Sequence, residues 1–172
     1  TGTQTYSSIA SSSNLLSSVT GDAGYQTISL PFDFPFGGTS FLAGTNVTVR
    51  ADGYLYFGTY APGHSCSAAW TTTSYQVIAP FLNYDGKISA NGATSGAYST
   101  TQTIGGVQTL VIEFKGLQCY YGDNGNYNFQ VRLHANGNIS VVYNSSTLTT
   151  YSSATHNFFL VNGTDKVCLV GS

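Results

Sequence analysis

His64, Ser65 and Cys66 put a base and two nucleophiles side by side in one stretch of the chain. Nucleophilic catalysis needs a Ser or Cys held against a His that a third group orients. Adjacent residues rarely make that hydrogen bond, and no G-x-S-x-G elbow frames them. A disulfide-tethered loop explains the triplet better than a catalytic dyad. Glycoside hydrolysis requires two facing carboxylates. The acidic residues are one Glu and six Asp. Glu113 reads as outward-facing on a strand beside Lys115, which would neutralise it, and Asp22, Asp52, Asp85, Asp123 and Asp165 fall where turn chemistry accounts for them. No catalytic residue is expected, and a secreted hydrolase is the least favoured class.

Binding chemistry is better represented. Calcium wants several oxygen donors in one loop; Asn83, Asp85 and Asp123 are the candidates, with Asn124 and Asn126 nearby, although neither loop has an EF-hand pattern. No other cofactor is expected. His64, His134 and His156 lack metal-ligand spacing. Tyrosines in Gly/Asn-rich loops offer flat faces and hydrogen-bonding tips to a sugar, which makes Tyr60, Trp70, Tyr120, Tyr121 and Tyr127 candidate glycan contacts. Cys66, Cys119 and Cys168 are too far apart for a metal knuckle. In an oxidising compartment one pair and one odd thiol are expected. The three pairings are equivalent from sequence; Cys66 with Cys119 is preferred because both stand in polar, loop-like surroundings, whereas Cys168 lies in the apolar run VCLV. Four N-x-S/T sequons, at Asn46, Asn138, Asn144 and Asn162, matter only in a glycosylating host.

These residues need a frame, and the composition limits its kind. The chain has 172 residues, 41% apolar and only 7% charged, against about 25% charged in ordinary globular proteins. Ser, Thr, Asn, Gln, Gly and Tyr must therefore cover the surface. Thirteen Tyr and ten Phe supply the bulk that a disordered chain lacks. A net charge of −2 with five scattered basic residues gives no footprint for nucleic acid. No apolar run is long enough for a membrane-spanning helix, so membrane insertion is not expected.

The elements are strands. Tyr25 to Leu30 alternates, and Pro31 and Pro35 keep PFDFPF extended while barring it from a fully paired central strand. Phe32, Phe34 and Phe36 share one face, the core-facing one. Asn46 to Arg50 and Tyr54 to Phe57 flank Asp52-Gly53, a strong hairpin signal. The stretch from Gly58 to Tyr75 is long and irregular, which suits a functional or disulfide-held loop. Val77 to Phe81 is a short apolar strand and Ser95 to Thr103 a polar one. Val107 to Gly116 follows, with Leu110, Ile112 and Phe114 opposite Val111, Glu113 and Lys115. Cys119 to Asn126 reads as a tyrosine loop. Phe129, Val131 and Leu133 point inward and Gln130, Arg132 and His134 outward; Asn136-Gly137 turns that strand onto ISVVY. A last hairpin turns at Asn162-Gly163. Strands about ten residues apart, joined by Asx-Gly and Gly-Gly turns, predict an all-β chain: a single antiparallel β-sandwich over residues 1–172, jelly-roll-like, with about ten to twelve short strands.

The first twenty residues are rich in Ser and Thr but dotted with Tyr6, Ile9, Leu15, Leu16 and Val19. They read as edge strands on the sandwich. A sharper reading makes residues 1–20 an assembly arm, with Tyr6, Ile9, Leu15 and Leu16 entering another subunit's sheet by strand addition.

The run LPFDFPFGG…NVTVRADGYLYFG…VIAPF…GKIS resembles a pattern found in large secreted and cell-surface proteins of bacteria, and is similar to the nidogen-type extracellular module. SGAYST, LVIEFKG and FQVRLHANGNISVVY continue the likeness, which covers most of the chain after Tyr25. Each motif consists of turn glycines, strand apolars and bend prolines, so the resemblance implies a scaffold in an extracellular setting and no active site. The acidic cluster that usually follows IAPF is reduced to NYD, with only Asp85 charged, which weakens any implied calcium site. These 172 residues hold none of the catalytic, repeat or sorting domains that usually accompany such modules, and the expectation is a self-sufficient surface or assembly subunit. The resulting expectation is a secreted, non-enzymatic, adhesive or structural protein at the cell surface, self-assembling as a homo-oligomer or filament. A carbohydrate-binding module is the alternative.

Overall fold

A computed structural model describes residues 4–59, 76–80, 86–88, 95–119, 126–144, 157–162 and 165–170. Its strands are β1 (Tyr25–Ser29), β2 (Phe34–Phe36), β3 (Thr39–Phe41), β4 (Asn46–Arg50), β5 (Tyr54–Phe57), β6 (Gln76–Ala79), β7 (Gly86–Ile88), β8 (Gly96–Ile104), β9 (Val107–Cys119), β10 (Tyr127–His134), β11 (Ile139–Tyr143), β12 (Asn157–Asn162) and β13 (Asp165–Val170). They form the expected all-β antiparallel sandwich, with thirteen strands among the described residues, slightly more than the sequence suggests. One sheet runs β1-β4-β5-β6-β12-β13 and the other β11-β10-β9-β7, with β8 also paired to β9. A small third sheet, β2-β3, stands apart.

Local chemistry explains most of these pairings. Asp52-Gly53 turns β4 onto β5, pairing Val49 with Leu55 and Arg50 with Tyr54. Asn136-Gly137 turns β10 onto β11 in register Val131↔Val141. Gly137 has φ +85°, and a Cβ there would come within 2.8 Å of Pro35 Cγ, so glycine also permits the turn to approach the β2 ribbon.

The two large sheets bury one shared core. Val47, Val49, Leu55, Phe57 and Ile78 from the six-stranded sheet meet Leu110, Ile112, Phe114, Phe129, Val131 and Leu133 from the other. Phe34 is fully buried and Phe32 nearly so, while Phe36 packs against the same cluster, as their alternation predicts. Phe57 stacks on Phe34, Phe36 and Phe41 at centroid distances of 5.8, 5.3 and 4.5 Å, tying the small ribbon to the sandwich.

β9 is longer than its sequence pattern indicates. Its pairing with β10 shifts between Tyr127 and Phe129, so Lys115 and Gly116 together oppose Asn128. Gly116 takes φ +71° and its N–H donates to Asn128 Oδ1 at 2.7 Å, the signature of a bulge that sets glycine in the left-handed region. The bulge resets the alternation, so Phe114 and Leu117 both face the core although three residues apart. It extends the strand to Cys119, where the sequence reads as the start of a loop.

Asp52 does more than make a turn. It is buried and ion-paired through Oδ2 to Arg50 Nε at 2.8 Å, and the Arg50 guanidinium lies 5.5 Å from the centre of the Tyr54 ring.

Candidate functional site

Alternation puts Thr109, Val111 and Glu113 of β9 on the outer face of the five-stranded sheet. Opposite them on β10 stand His134, Arg132 and Gln130. An outer face rich in polar groups should meet water, yet Glu113 is 0% and Gln130 1% exposed. The covering layer is the N-terminal arm, in extended conformation across the sheet.

The arm is held by both its side chains and its backbone. Gln4 Nε2 donates to Ser140 Oγ at 3.1 Å, and Gln4 Oε1 accepts from Arg132 Nη1 at 3.1 Å. Arg132 Nη2 donates to the Thr5 carbonyl at 2.9 Å, and Gln130 Nε2 to the Ser7 carbonyl at 2.6 Å. Tyr6 donates its hydroxyl to Glu113. Ser8 Oγ and the Ile9 N–H also donate to the carboxylate, at 2.7 and 2.6 Å. Glu113 is thus satisfied by the arm and not, as its neighbour in sequence suggests, by Lys115. Arg132 also holds Gln130, donating from Nη2 to Oε1 at 2.7 Å, which aims the carboxamide at Ser7.

The electrostatics follow from this burial. The Tyr6 phenol is held far above its ordinary range by burial and by its hydrogen bond to Glu113. Tyr98, opposite Glu113 on β8, is raised by burial and then by the Glu113 charge. Burial lowers Arg132.

Beyond Arg132 the polar face continues as a ladder. Thr109 Oγ1 donates to the Val107 carbonyl at 3.0 Å, so its lone pair accepts from His134 Nδ1 at 2.8 Å. That leaves His134 Nε2 to accept from Ser140 Oγ at 3.0 Å. A serine on an imidazole is half of a nucleophilic dyad. Here, however, the third group is a hydroxyl in place of a carboxylate, and Gln4 Nε2 already engages the Ser140 oxygen. The arrangement holds strands and arm together. Sequence spacing alone could not find it, because its members come from three strands and the arm.

His134 carries a pH consequence. Burial, and secondarily Arg132, lower its pKa below the usual 6.5. A folded pKa below the unfolded one means the unfolded chain takes up the proton first, so stability falls as pH drops below about 6.5. Urea midpoints measured from pH 8 to pH 5 should show that loss, and His134→Gln should flatten its share of the slope; an unchanged slope would contradict the assignment.

After the arm, the chain becomes an edge. Ser99 N–H donates to the Asn14 carbonyl and Leu16 N–H to the Ala97 carbonyl, both at 2.9 Å, and Gly21 bridges Ile88 of β7. Leu16 and Val19 are buried in the core, while Leu15 is 42% exposed. Of the residues expected to serve an arm, Tyr6 and Ile9 meet Glu113, Leu16 anchors the segment, and Leu15 alone is largely exposed. An open groove of about 360 Å³ lies where the arm meets β11, lined by Gln4 and Ser140 to Tyr143. Tyr143 donates its hydroxyl to the Pro80 carbonyl at 2.8 Å, and burial pushes its pKa up to about 12.

Of the expected glycan contacts, Tyr127 lies among the described residues. Tyr127 is 1% exposed, in the core beside Phe129, and offers no face to a sugar; a period of two counted back from Phe129 already points it inward. Tyr60, Trp70, Tyr120 and Tyr121 lie outside the described residues, as do Asn83, Asp85, Asp123, His64 and Cys66. Cys119 ends β9 opposite Gly86, whereas Cys168 lies opposite Phe159 in the other sheet. Among the described residues no three His, Cys, Asp or Glu side chains cluster as a metal site, and no helix is long and apolar enough to cross a membrane.

A family profile described as NIDO related matches residues 1–165. No curated protein and no solved structure matches the chain. The profile spans the N-terminal arm and the sandwich as far as the start of β13, so the arm and the polar groups that hold it fall inside the matched unit. The chain belongs to the NIDO-related family, a family of nidogen-like, non-catalytic modules with an extracellular context.

Proposed function

We propose that the chain is an extracellular structural or adhesive module that assembles with copies of itself at a cell surface or in a filament. The observation that carries this reading is the use made of the outer sheet face. Its most polar groups, Glu113, Gln130 and Arg132, hold an extended peptide segment. A chain with only 7% charged residues supports the same reading, because charge depletion accompanies the cores of protein interfaces. Sedimentation velocity and electron microscopy of the full chain test it. Particles larger than the 18.1 kDa chain are expected, and featureless monomers at every accessible concentration would sink it. A glycan-binding module predicts instead a monomer whose melting temperature rises with particular sugars on an array. A hydrolase predicts turnover of a glycoside or ester.

A further inference from the structure

We propose that Glu113, Gln130 and Arg132 form a peptide seat that also accepts residues 4–9 of a second copy, so that copies join by exchanging arms. This rests on the self-assembly reading and names the contact that would serve it.

Three observations support the exchange. First, the seat reads an extended peptide as a peptide. Arg132 and Gln130 donate to the Thr5 and Ser7 carbonyls, and Glu113 accepts from the Ile9 N–H. Alternating with these backbone contacts, the side chains of Gln4, Tyr6 and Ser8 hydrogen-bond to Arg132 and Glu113. The same segment from another copy would make the same bonds, which is why swapping an identical element is a low-cost route to association.

Second, arm and body each have anchors of their own. The body's hold begins at Asn14, whose carbonyl accepts from Ser99, and is completed by Leu16 in the core. The link between, Ala10-Ser11-Ser12-Ser13, is made of small residues. It is tied locally, by Ser11 to Ser13 at 3.0 Å and by the Asn14 N–H to the Ser11 carbonyl at 3.2 Å. One contact spans the link, from Asn14 Nδ2 to the Ile9 carbonyl at 3.0 Å; exchange passes that bond to Asn14 of the other copy, and the remaining contacts of the arm and of the core stay as they are.

Third, the seat has an approach. The start of the arm lies beside β11, where the groove lined by Gln4 and Ser140 to Tyr143 is open to solvent. A segment from a neighbouring copy can enter there without crossing the sandwich.

Link length tests the idea. A link too short to fold back invites exchange, and a longer one disfavours it. The full chain with Ser12 and Ser13 deleted should give at least about tenfold more of a species at twice the 18.1 kDa chain mass, at equal concentration by sedimentation velocity. Adding Glu113→Ala to that variant should return it to monomer. Inserting Gly-Ser-Gly-Ser between Ser12 and Ser13 should reduce association of the native sequence. A second measurement does not depend on the link: a full chain carrying Tyr6→Ala keeps its seat, and should capture a fluorescent TGTQTYSSIA peptide in preference to the same peptide with alanine for tyrosine.

If the native chain assembles but neither link length nor Glu113→Ala alters its mass, exchange is overturned while self-assembly stands through another face. If the peptide is not captured, or the folded short-link variant stays monomeric, exchange is overturned. If the native chain is monomeric while the short-link variant dimerises through Glu113, the seat is upheld and the self-assembly reading falls.

Discussion

Phe57→Ala is expected to destabilise the sandwich by about 4 kcal/mol, in the range for removing a buried aromatic ring. Phe57 is 4% exposed, and its ring is where three others converge. Phe34 lies nearly parallel to it at 3°, and Phe41 is closest at 4.5 Å. The substitution removes apolar contact and leaves a void that the β2-β3 ribbon, held by a short two-strand ladder, can only partly fill. Aromatic pairs contribute about 0.5–1.5 kcal/mol each beyond their buried area, so Phe57→Leu should recover most, but not all, of the loss. Urea denaturation gives the totals. Hydrogen exchange should locate the damage, with the Phe41 amide losing protection before that of Ile112. A cost below about 1 kcal/mol would mean that the ribbon collapses onto the vacancy and the stack is not what fixes it.

Glu113→Ala should cost about 3 kcal/mol, because hydrogen bonds to a charged group are worth about 1.5–3 kcal/mol each and the alternative for the arm is to detach into water. Detachment caps the penalty. Once free, the Tyr6 and Ser8 hydroxyls and the Ile9 N–H find water, so the lost energy is that of docking the arm and not the sum of three bonds. A loss of this size lowers Tm by roughly 6–12 °C in a domain this large. The Ile9 amide should lose its protection while those of Ile112 and Val131, in the ladder beneath, keep theirs. Tyr6→Phe removes one of the donors and should cost about 1 kcal/mol. If Glu113→Ala left the Ile9 amide protected, the carboxylate would not be what holds the arm.

Much of the frame is written locally. Asp52-Gly53 and Asn136-Gly137 specify hairpins because their residues tolerate the turn torsions, and the pattern of Phe129, Val131 and Leu133 specifies a buried strand face because side chains alternate. Those properties reach only a few residues along the chain. The phenylalanines of PFDFPF also went where their spacing sends them. The same periodicity, taken two residues further, would have placed Tyr127 inside.

The tertiary structure decided what covers each face. Alternation correctly sends Glu113, Gln130, Arg132 and His134 outward, but an outward face is exposed only if nothing lies over it. Tyr6 is 107 residues from Glu113 in sequence, and no local pattern specifies that meeting. The bulge at Gly116 is similarly hidden: a glycine in a strand can be a turn, a close approach or a bulge, and only the partner strand distinguishes them. Several polar side chains therefore serve the frame. Ser140 and His134 became rungs of a ladder, and Asp52 became half of a buried ion pair. Glu113, read as a surface charge beside a lysine, became the group on which the N-terminal arm is fastened. Residue types and their spacing determined the sandwich, its turns and its extracellular family; packing between distant segments determined where the sheet holds the N-terminal arm.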